Sequence, residues 1–285
     1  MYFSVLLGNP VEHSISPKLF SLLADDLGIE YAHIKMNVPS KNKLPVFLNS
    51  LKNIGCYGIN ITLPYKIAIM GHVDAIEKEA KQMGAVNAIY FKNGKFIGFN
   101  ADAPAALMAI EKKLKTITAR DKVLILGAGG AGRAIAFEIR KRTSHIIIVD
   151  KEIKKAKELS DNLEKSNNIL YKKFNNKDII SLIKDSDYII NASPVGMTPN
   201  IDGIPVDFSS IKSLKGKYFF DAIFNPYETK FLKLAKKKGA MTCSGMYMMI
   251  FQAAYVLEKW INRKVKINDL EKINSILIDY LKNHA

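Results

Sequence analysis

Apolar positions in the first sixty residues alternate between short runs typical of strands and amphipathic stretches typical of helices. Strands are predicted at residues 2–7, 31–38 and 58–63, and helices at 17–27 and 43–53. Connections of this length, each containing a helix, join parallel strands rather than hairpins. The pattern therefore predicts a β-α-β-α-β series and a mostly parallel sheet.

The next segment predicts a change of strand direction. A helical pattern at residues 74–83 leads to short strands at 88–91 and 95–99, which are joined through Asn93-Gly94, a strong hairpin signal. A helix at residues 103–115 then carries the chain into its second half.

A buried-type strand, a glycine-rich turn and an amphipathic helix follow one another between Lys122 and Ile139. Gly127, Gly129 and Gly132 have the G-x-G-x-x-G spacing, which provides a tight turn, bare backbone for a pyrophosphate and close packing of helix on strand. A second strand at 146–149 ends in Asp150. The unit predicts a dinucleotide site, and the alternative is a glycine-rich helix start in another doubly wound fold.

Further strands are predicted at residues 188–190 and 218–222, and long amphipathic stretches at 246–260 and 269–281. We expect an α/β protein of two domains. Residues 1–103 would form a mostly parallel α/β substrate domain, and residues 104–242 a doubly wound, Rossmann-type nucleotide-binding domain. Residues 243–285 would supply helices that return to the first domain.

Composition narrows the class of protein. The chain has 285 residues, of which 48% are hydrophobic and 24% charged, and no apolar run approaches the ~20 residues that span a bilayer. We therefore expect a cytoplasmic protein without a membrane partner. Its two cysteines lie far apart and no metal-type spacing occurs, so reduced thiols and no bound metal are expected.

The net charge of +15 raises the question of a nucleic-acid partner. Most of the excess lies between residues 104 and 242, on lysine-rich helix faces that are typical of solvated surface. A field that attracts anionic ligands is the second interpretation. Without a zinc spacing, an aromatic RNA-binding motif or a basic tail, we expect a small-molecule substrate and no nucleic acid.

The first candidate site follows the first strand, in His13-Ser14-Ile15-Ser16-Pro17. Ser16 before Pro17 is a good helix N-cap, and capping needs only one serine. Ser14 is therefore left over. Two hydroxyls beside free backbone N–H groups predict a site for an anionic group of the substrate.

Three more candidate sites lie at predicted strand ends, where ligands of open α/β sheets bind. Thr62 lies at the carboxyl end of the third strand and Lys66 in the turn after it, Asn87 precedes the fourth strand, and Asp102 follows the fifth. Each has a structural alternative: a solvated lysine, an asparagine that closes a turn, or an aspartate that caps a helix. Together they suit hydride transfer, in which an amine accepts the hydroxyl proton and a carboxylate orients it.

Short motifs follow one another along the chain in a fixed order: GNPVEHSISP at 8–17, NITLPYK at 60–66, GAVNA at 84–88, GFNAD at 98–102, GAGGAGRA at 127–134, NASPVGM at 191–197, the segment from Asp221, and residues 245–252. In this order they resemble the shikimate dehydrogenase family along essentially the whole chain. The resemblance implies reversible NAD(P)H-dependent reduction of 3-dehydroshikimate to shikimate in aromatic amino-acid biosynthesis.

The resemblance also implies a role for each matching residue. Lys66 and Asp102 would form the catalytic pair, and Ser16 favours shikimate over quinate. The substrate carboxylate would bind Ser14 and Ser16, and the ring and its hydroxyls would contact Thr62, Asn87 and Gln252. The cofactor would contact Gly127, Ala128, Gly129, Gly130, Ala131, Gly132, Asp150, Lys151, Lys155, Asn191, Ala222 and Gly245.

Three departures from the family pattern leave questions open. Ala101 replaces a threonine beside Asp102, and Phe224 replaces a tyrosine that reaches the substrate. After the second Rossmann strand, Asp150-Lys151-Glu152 replaces the Asn-Arg-Thr of NADP-using members. The family implies NADP, whereas a carboxylate at Asp150 suits the ribose hydroxyls of NAD and suggests NAD or dual use.

The remaining alternatives concern function and assembly. A quinate/shikimate dehydrogenase that uses NAD, and a non-catalytic regulator that senses dinucleotide or shikimate, both stay open at this point. The chain is expected to be a monomer or a homodimer.

Overall fold

The computed structural model of the chain describes residues 2–163 and 169–284, and its account of side chains leaves out residues 176, 177 and 284. The chain forms two compact units. Unit 1 consists of Met1–Ala101 and Gln252–Ala285, and unit 2 of Asp102–Phe251. The second crossing between the units therefore falls inside the helix predicted at residues 246–260.

Unit 1 has a six-stranded sheet with helices. In chain order its elements are β1 Tyr2–Gly8, α1 Ser16–Leu27, β2 Tyr31–Asn37, α2 Leu44–Asn53, β3 Gly58–Ile61, β4 Ala75–Ile76, α3 Lys78–Met83, β5 Ala88–Lys92 and β6 Lys95–Phe99. Short 3-10 segments lie at Lys41–Lys43 and Ala68–His72.

The strand order in this sheet is β2-β1-β3-β5-β6-β4. Strand β1 pairs in parallel with β2 and β3, and β4 pairs in parallel with β6. Strand β5 is antiparallel to both β3 and β6, so β3 and β6 point in the same direction. The mostly parallel sheet with a single hairpin is confirmed.

Helix α1 shows how the sequence specifies its elements. The apolar residues Leu19, Phe20, Leu23 and Ala24 recur at helical spacing and are all buried. Gly28 ends the helix in the left-handed conformation, with φ of 63°, and its N–H donates to the carbonyl of Asp25 at 3.1 Å.

The helix predicted over residues 74–83 is wrong in its first part, because Ala75–Ile76 forms β4 and α3 covers only Lys78–Met83. Tertiary hydrogen bonds explain the difference. Asp74 exchanges hydrogen bonds with the main chain of Phe96, donating through its N–H at 3.0 Å and accepting at its carboxylate at 2.7 Å. These bonds to β6 override the helical pattern.

The C-terminal chain contributes two helices, α9 Gly245–Ile261, which begins in unit 2, and α10 Leu270–His284 in unit 1. Trp260 of α9 anchors the helix on the sheet of unit 1, where its Nε1 donates to the carbonyl of Ile89 at 2.9 Å. Gly58 leaves the space that the indole fills, because a Cβ there would lie 2.2 Å from the ring.

Unit 2 is built on an all-parallel six-stranded sheet in the order β12-β11-β10-β7-β8-β9. Its elements are α4 Asp102–Lys113, β7 Val123–Leu126, α5 Gly130–Ile139, β8 Ile146–Asp150, α6 Ile153–Leu163, β9 Ile169–Lys173, α7 Asn176–Asp185, β10 Tyr188–Asn191, β11 Tyr218–Asp221, α8 Lys230–Lys237 and β12 Met241–Ser244. The strand order reverses between β7 and β10, which confirms the doubly wound, Rossmann-type fold.

The ends of β10 and β11 are joined by a buried polar network. The Asp221 carboxylate accepts hydrogen bonds from Asn191 Nδ2 at 3.0 Å, Thr229 Oγ1 at 2.6 Å and the N–H of Ile223 at 3.1 Å. Thr229 also caps α8 by accepting from the N–H of Leu232. Burial raises the pKa of Asp221 to about 7, although its three donors oppose the shift.

We expect Gly58→Ala to destabilise unit 1, because the added methyl would overlap a buried indole that cannot move without breaking its bond to Ile89. Overpacking of this kind costs about 1–3 kcal/mol. Thermal unfolding should show a lower Tm than in Gly71→Ala, the control, where a Cβ meets no atom within 4 Å. Equal Tm values for the two variants would contradict the proposed packing.

The raised pKa of Asp221 predicts a pH-dependent contribution to stability. The folded carboxyl keeps its proton up to about pH 7, whereas the unfolded one loses it near the ordinary pKa of 3.8. Stability from this group is therefore greatest below the unfolded pKa and falls as the pH rises towards 7. The Tm of the wild type minus that of Asp221→Asn should decrease from pH 5 to pH 8. Asp202→Asn, at a side chain that is 95% exposed, is the control. A difference that stays constant would contradict the prediction.

Candidate active site

The predicted substrate residues of unit 1 gather at one edge of its sheet. Strands β1, β3 and β6 all end at this edge, and the antiparallel strand β5 begins there. The N–H of Thr62 donates to the carbonyl of Leu7 at 2.9 Å, and the N–H of Asn87 donates to that of Phe99 at 3.1 Å. A third bond, from the N–H of Ile61 to the carbonyl of Asn87 at 2.7 Å, connects these two pairs, so the ends of β1, β3 and β6 are linked through the main chain.

Ser14 and Ser16 lie in the loop between β1 and α1, with their hydroxyl oxygens 3.0 Å apart. The predicted N-cap role of Ser16 is wrong, because Ile15 is the N-cap residue, no side chain caps the helix, and Ser16 is the first helical residue. The reason is local: the Ser14 hydroxyl accepts from the N–H of Ser16 at 3.3 Å. Both hydroxyls therefore lie together at the start of α1.

A lysine that the sequence analysis missed supports this loop. Lys35 of β2 donates from Nζ to the carbonyl of Glu12 at 2.6 Å and reaches that of Ser14 at 3.5 Å. Its charge lies beside the two serines because β2 pairs with β1 along its whole length. Nothing in the sequence distinguishes this exposed lysine from the other surface lysines, since its contacts are tertiary.

Thr62 and Lys66 follow β3 in a turn that is fixed by main-chain bonds. The N–H of Tyr65 donates to the carbonyl of Thr62 at 3.0 Å, and the carbonyl of Lys66 accepts from the N–H of Val86 at 2.8 Å. Tyr65 is buried, and its hydroxyl donates to the carbonyl of Val38 at 2.6 Å. Both predicted residues are half-buried at the edge, in a segment whose backbone is anchored on each side.

Buried asparagines occupy the same edge. Asn87 accepts at its Oδ1 from the N–H of Ala101 at 2.7 Å, and Asn100 donates to the carbonyl of Ala85 at 3.0 Å. Asn60, which the sequence analysis did not single out, is 5% exposed, and its Oδ1 has no hydrogen-bond partner among the residues that the structure describes. An unsatisfied buried oxygen indicates a place for a donor from a ligand or a water molecule.

Asp102 is buried and begins α4, one residue after Ala101, so the helix starts directly at the predicted carboxylate. Ala101, which stands where the family pattern has a threonine, is fully buried. Phe224 is partly exposed in the segment after β11.

Gln252 belongs to the part of α9 that lies in unit 1. Trp260 packs at Gly58, the amino end of β3, whereas Tyr255 packs at Phe99, the carboxyl end of β6, with ring centroids 6.3 Å apart. From Tyr255 to Trp260 the helix therefore crosses the sheet from the carboxyl ends of the strands towards the amino ends. Gln252, one turn before Tyr255, lies at the same end as the other candidates.

In unit 2, the glycine-rich loop connects β7 to α5 at the point where the strand order reverses. Gly127 has φ of 111°, and a Cβ on Gly132 would lie 2.0 Å from the carbonyl oxygen of Gly127. A Cβ on Gly129 would meet no atom within 4 Å. The loop thus has a closely packed inner side and an open outer side at the N-terminus of α5, as a pyrophosphate requires. Gly130 and Ala131 form the first turn of that helix.

Asp150, at the end of β8, makes two hydrogen bonds to main-chain amides. Its Oδ2 accepts from the N–H of Ala128 at 2.8 Å, and its Oδ1 accepts from that of Glu152 at 2.9 Å. Lys151 and Lys155 are exposed nearby. Lys155 is ion-paired with Glu152 at 2.5 Å, and this hydrogen bond raises the pKa of Lys155.

The other predicted cofactor residues also lie at the carboxyl edge of this sheet. Asn191 ends β10, and its Oδ1 accepts from both the N–H and the hydroxyl of Ser193. Gly245 follows β12, and a Cβ there would lie 2.4 Å from the carbonyl oxygen of Ala222, so only glycine fits.

The described residues contain neither a metal-binding cluster nor a membrane-spanning helix. No group of three or more histidine, cysteine, aspartate or glutamate side chains among them is arranged to hold a metal ion. Within residues 2–163 and 169–284, no helix is both long and apolar enough to cross a bilayer.

Models of known protein families match both halves of the chain. The family model of the shikimate dehydrogenase substrate binding domain matches residues 6–89, and that of the saccharopine dehydrogenase NADP binding domain matches residues 123–201. The shikimate dehydrogenase (NADP(+)) of Methanococcus maripaludis strain C6 is 40% identical over 276 residues, which cover 95% of each chain.

Solved structures cover the same length. A shikimate dehydrogenase in complex with NADP+ has a TM-score of 0.87 at 35% identity and covers 99% of this chain and 96% of its own. The shikimate 5-dehydrogenase of Thermus thermophilus in complex with NADP(H) and shikimate has a TM-score of 0.84 at 26% identity, with both chains covered completely. The chain therefore belongs to the shikimate dehydrogenase family.

Proposed function

We propose that the protein is an NADP-dependent shikimate dehydrogenase that interconverts 3-dehydroshikimate and shikimate. The observation that carries the proposal is the gathering of two serine hydroxyls, a lysine and buried amides at the carboxyl edge of unit 1. Asp102 comes directly after Ala101, the last residue of the first segment of unit 1. A glycine-rich loop of the dinucleotide-binding type lies in unit 2. The identity to NADP-using relatives over 95% of the chain supports it.

The substrate carboxylate would bind Ser14 and Ser16. Their hydroxyls lie 3.0 Å apart at the start of α1, and Lys35 adds a positive charge to the same loop. Charge-assisted hydrogen bonds of this kind are stronger than neutral ones. The ring and its hydroxyls would contact Thr62, Asn87 and Gln252, with the unsatisfied oxygen of Asn60 as a further acceptor.

Lys66 would move the proton of the reacting hydroxyl. In the direction of oxidation, its amine accepts this proton while the carbon gives up a hydride, and in reduction it returns the proton to the new alkoxide. Asp102 would act as the carboxylate that orients this hydroxyl. A bound nicotinamide dinucleotide supplies the hydride acceptor or donor.

The residues of unit 2 fit a dinucleotide. The open side of Gly129 and the first amides of α5 would hold its pyrophosphate, and Asn191, Ala222 and Gly245 would border the nicotinamide half. Lys151 would cover a 2′-phosphate, because Lys155 is already paired with Glu152. NADP is therefore the proposed cofactor, which agrees with the names of the relatives.

We expect Lys66→Met to lose turnover without losing the fold. The carbonyl of residue 66 still accepts from Val86, whereas the proton acceptor is gone, so kcat should fall by about 10² to 10⁴. Steady-state kinetics, the Kd for shikimate and the Tm should be measured together. Lys41→Met, at an exposed lysine of the same unit, is the control. A variant with near-normal kcat would remove Lys66 from this role.

The preferred substrate and the preferred cofactor can be determined together in four assays. Shikimate and quinate are each offered with NADP and with NAD, and kcat/KM is obtained from the formation of reduced cofactor. We expect the highest value for shikimate with NADP. A higher value for quinate with NAD would favour the quinate/shikimate alternative, and no turnover in any combination, with shikimate still bound, would favour a sensor.

A further inference from the structure

We propose that Asp150 is a positioning residue of the glycine-rich loop and does not select between NAD and NADP. The inference rests on the proposed function only in that a dinucleotide binds unit 2. It replaces the interpretation that a carboxylate at this position binds the ribose diol and excludes a 2′-phosphate.

The geometry of the two acceptor bonds carries the inference. One oxygen accepts from the N–H of Ala128, in the middle of the glycine-rich loop, at 2.8 Å. The other accepts from the N–H of Glu152, in the turn that leads into α6, at 2.9 Å. Each oxygen therefore already accepts a hydrogen bond from the main chain, and the two bonds fix the orientation of the carboxylate between the glycine-rich loop and the turn into α6.

These bonds complete a set of contacts that fixes the loop. The N–H of Gly127 donates to the carbonyl of Val149 at 2.8 Å, and the N–H of Arg133 donates to that of Gly129 at 2.9 Å. Ala128 is 1% exposed, so without Asp150 its N–H would be buried and unsatisfied. The carboxylate therefore turns this amide inwards and leaves the backbone of Gly129 open to a pyrophosphate.

The charges around Asp150 also argue against repulsion of a 2′-phosphate. Lys173 is its register partner on β9, and the charge of Asp150 contributes to the raised pKa of Lys155. Lys151 and Lys154 lie on the same exposed turn. Four lysines thus lie in the described segments around Asp150 and Glu152, so one hydrogen-bonded carboxylate does not make this end of the sheet negative.

The experiment compares Asp150→Asn and Asp150→Ala with the wild type in four assays. These are kcat/KM for NADP, kcat/KM for NAD, KM for shikimate and Tm. Asparagine keeps one acceptor and turns an NH₂ group towards the second amide, so it loses one bond, whereas alanine loses both. Asp161→Asn is the control, because this exposed carboxylate of α6 is paired with Lys157 across one helical turn and lies outside the glycine-rich loop.

We expect Asp150→Ala to lower kcat/KM by about 10-fold with both cofactors, and Asp150→Asn to lower it less. The NADP to NAD ratio should stay within about twofold of the wild type, with kcat at saturating cofactor and KM for shikimate unchanged. A purely structural defect would instead reduce kcat or raise the shikimate KM along with a fall in Tm.

Any other pattern overturns the inference. A ratio that moves towards NADP in both variants would assign the carboxylate to the ribose, and unchanged kcat/KM with both cofactors would remove it from the loop. Direct calorimetric titration of the wild type with NADP and NAD separates the two proposals. If neither binds, the proposed function fails, whereas binding with a shifted ratio in the variants overturns only the role of Asp150.

Discussion

The hydrogen bonds of Asn87 are the constraint on which the candidate substrate site depends. Its carbonyl accepts from the N–H of Ile61, its N–H donates to Phe99, and its side-chain oxygen accepts from the N–H of Ala101. One residue thus fixes the ends of β3, β5 and β6, and the neighbouring bond from Val86 to Lys66 extends the connection to the proposed proton acceptor. Asn87 is 2% exposed, so removing its acceptor would leave a buried amide unsatisfied at a cost of about 1–3 kcal/mol. The geometry of this edge and its chemistry therefore cannot be changed independently.

In unit 2, the loops at the carboxyl ends of the strands are fixed by different contacts. Small residues allow its loops to approach one another closely, as at Gly127 and Gly132. Carboxylates accept hydrogen bonds from the main-chain N–H groups of these turns. Asp150 does this after β8 and Asp221 after β11, where Asn191 and Thr229 complete the network. Both carboxylates end strands of a parallel sheet, where loops meet and main-chain donors lack strand partners. A site built this way is organised before any ligand arrives, so less binding energy is lost in ordering it.

The sequence predicted those parts of the fold that burial determines. Central strands such as β7 and β10 are fully buried, and their continuous apolar runs are unambiguous. The strands that were not predicted, β4, β9 and β12, are all edge strands, where hydrogen bonding to one neighbour decides the structure and exposed residues carry little pattern. The positions of the candidate residues followed from the rule that ligands bind beyond the carboxyl ends of strands. Lys35 and Asn60 were missed because their significance depends on contacts across the sheet.

Asp150 shows where a motif stops being informative. An acidic residue at the end of the second Rossmann strand is compatible with NAD, but the residue type does not say which main-chain groups its carboxylate binds and how it is oriented. Both depend on the turn that follows the strand. Here the N–H of Glu152 in that turn donates to the same carboxylate that accepts from the N–H of Ala128. The preference for a cofactor is then left to the side chains that face outwards, among which Lys151 has the suitable charge. Cofactor specificity at this end of the sheet is therefore a property of the whole turn, and one residue of the motif does not determine it.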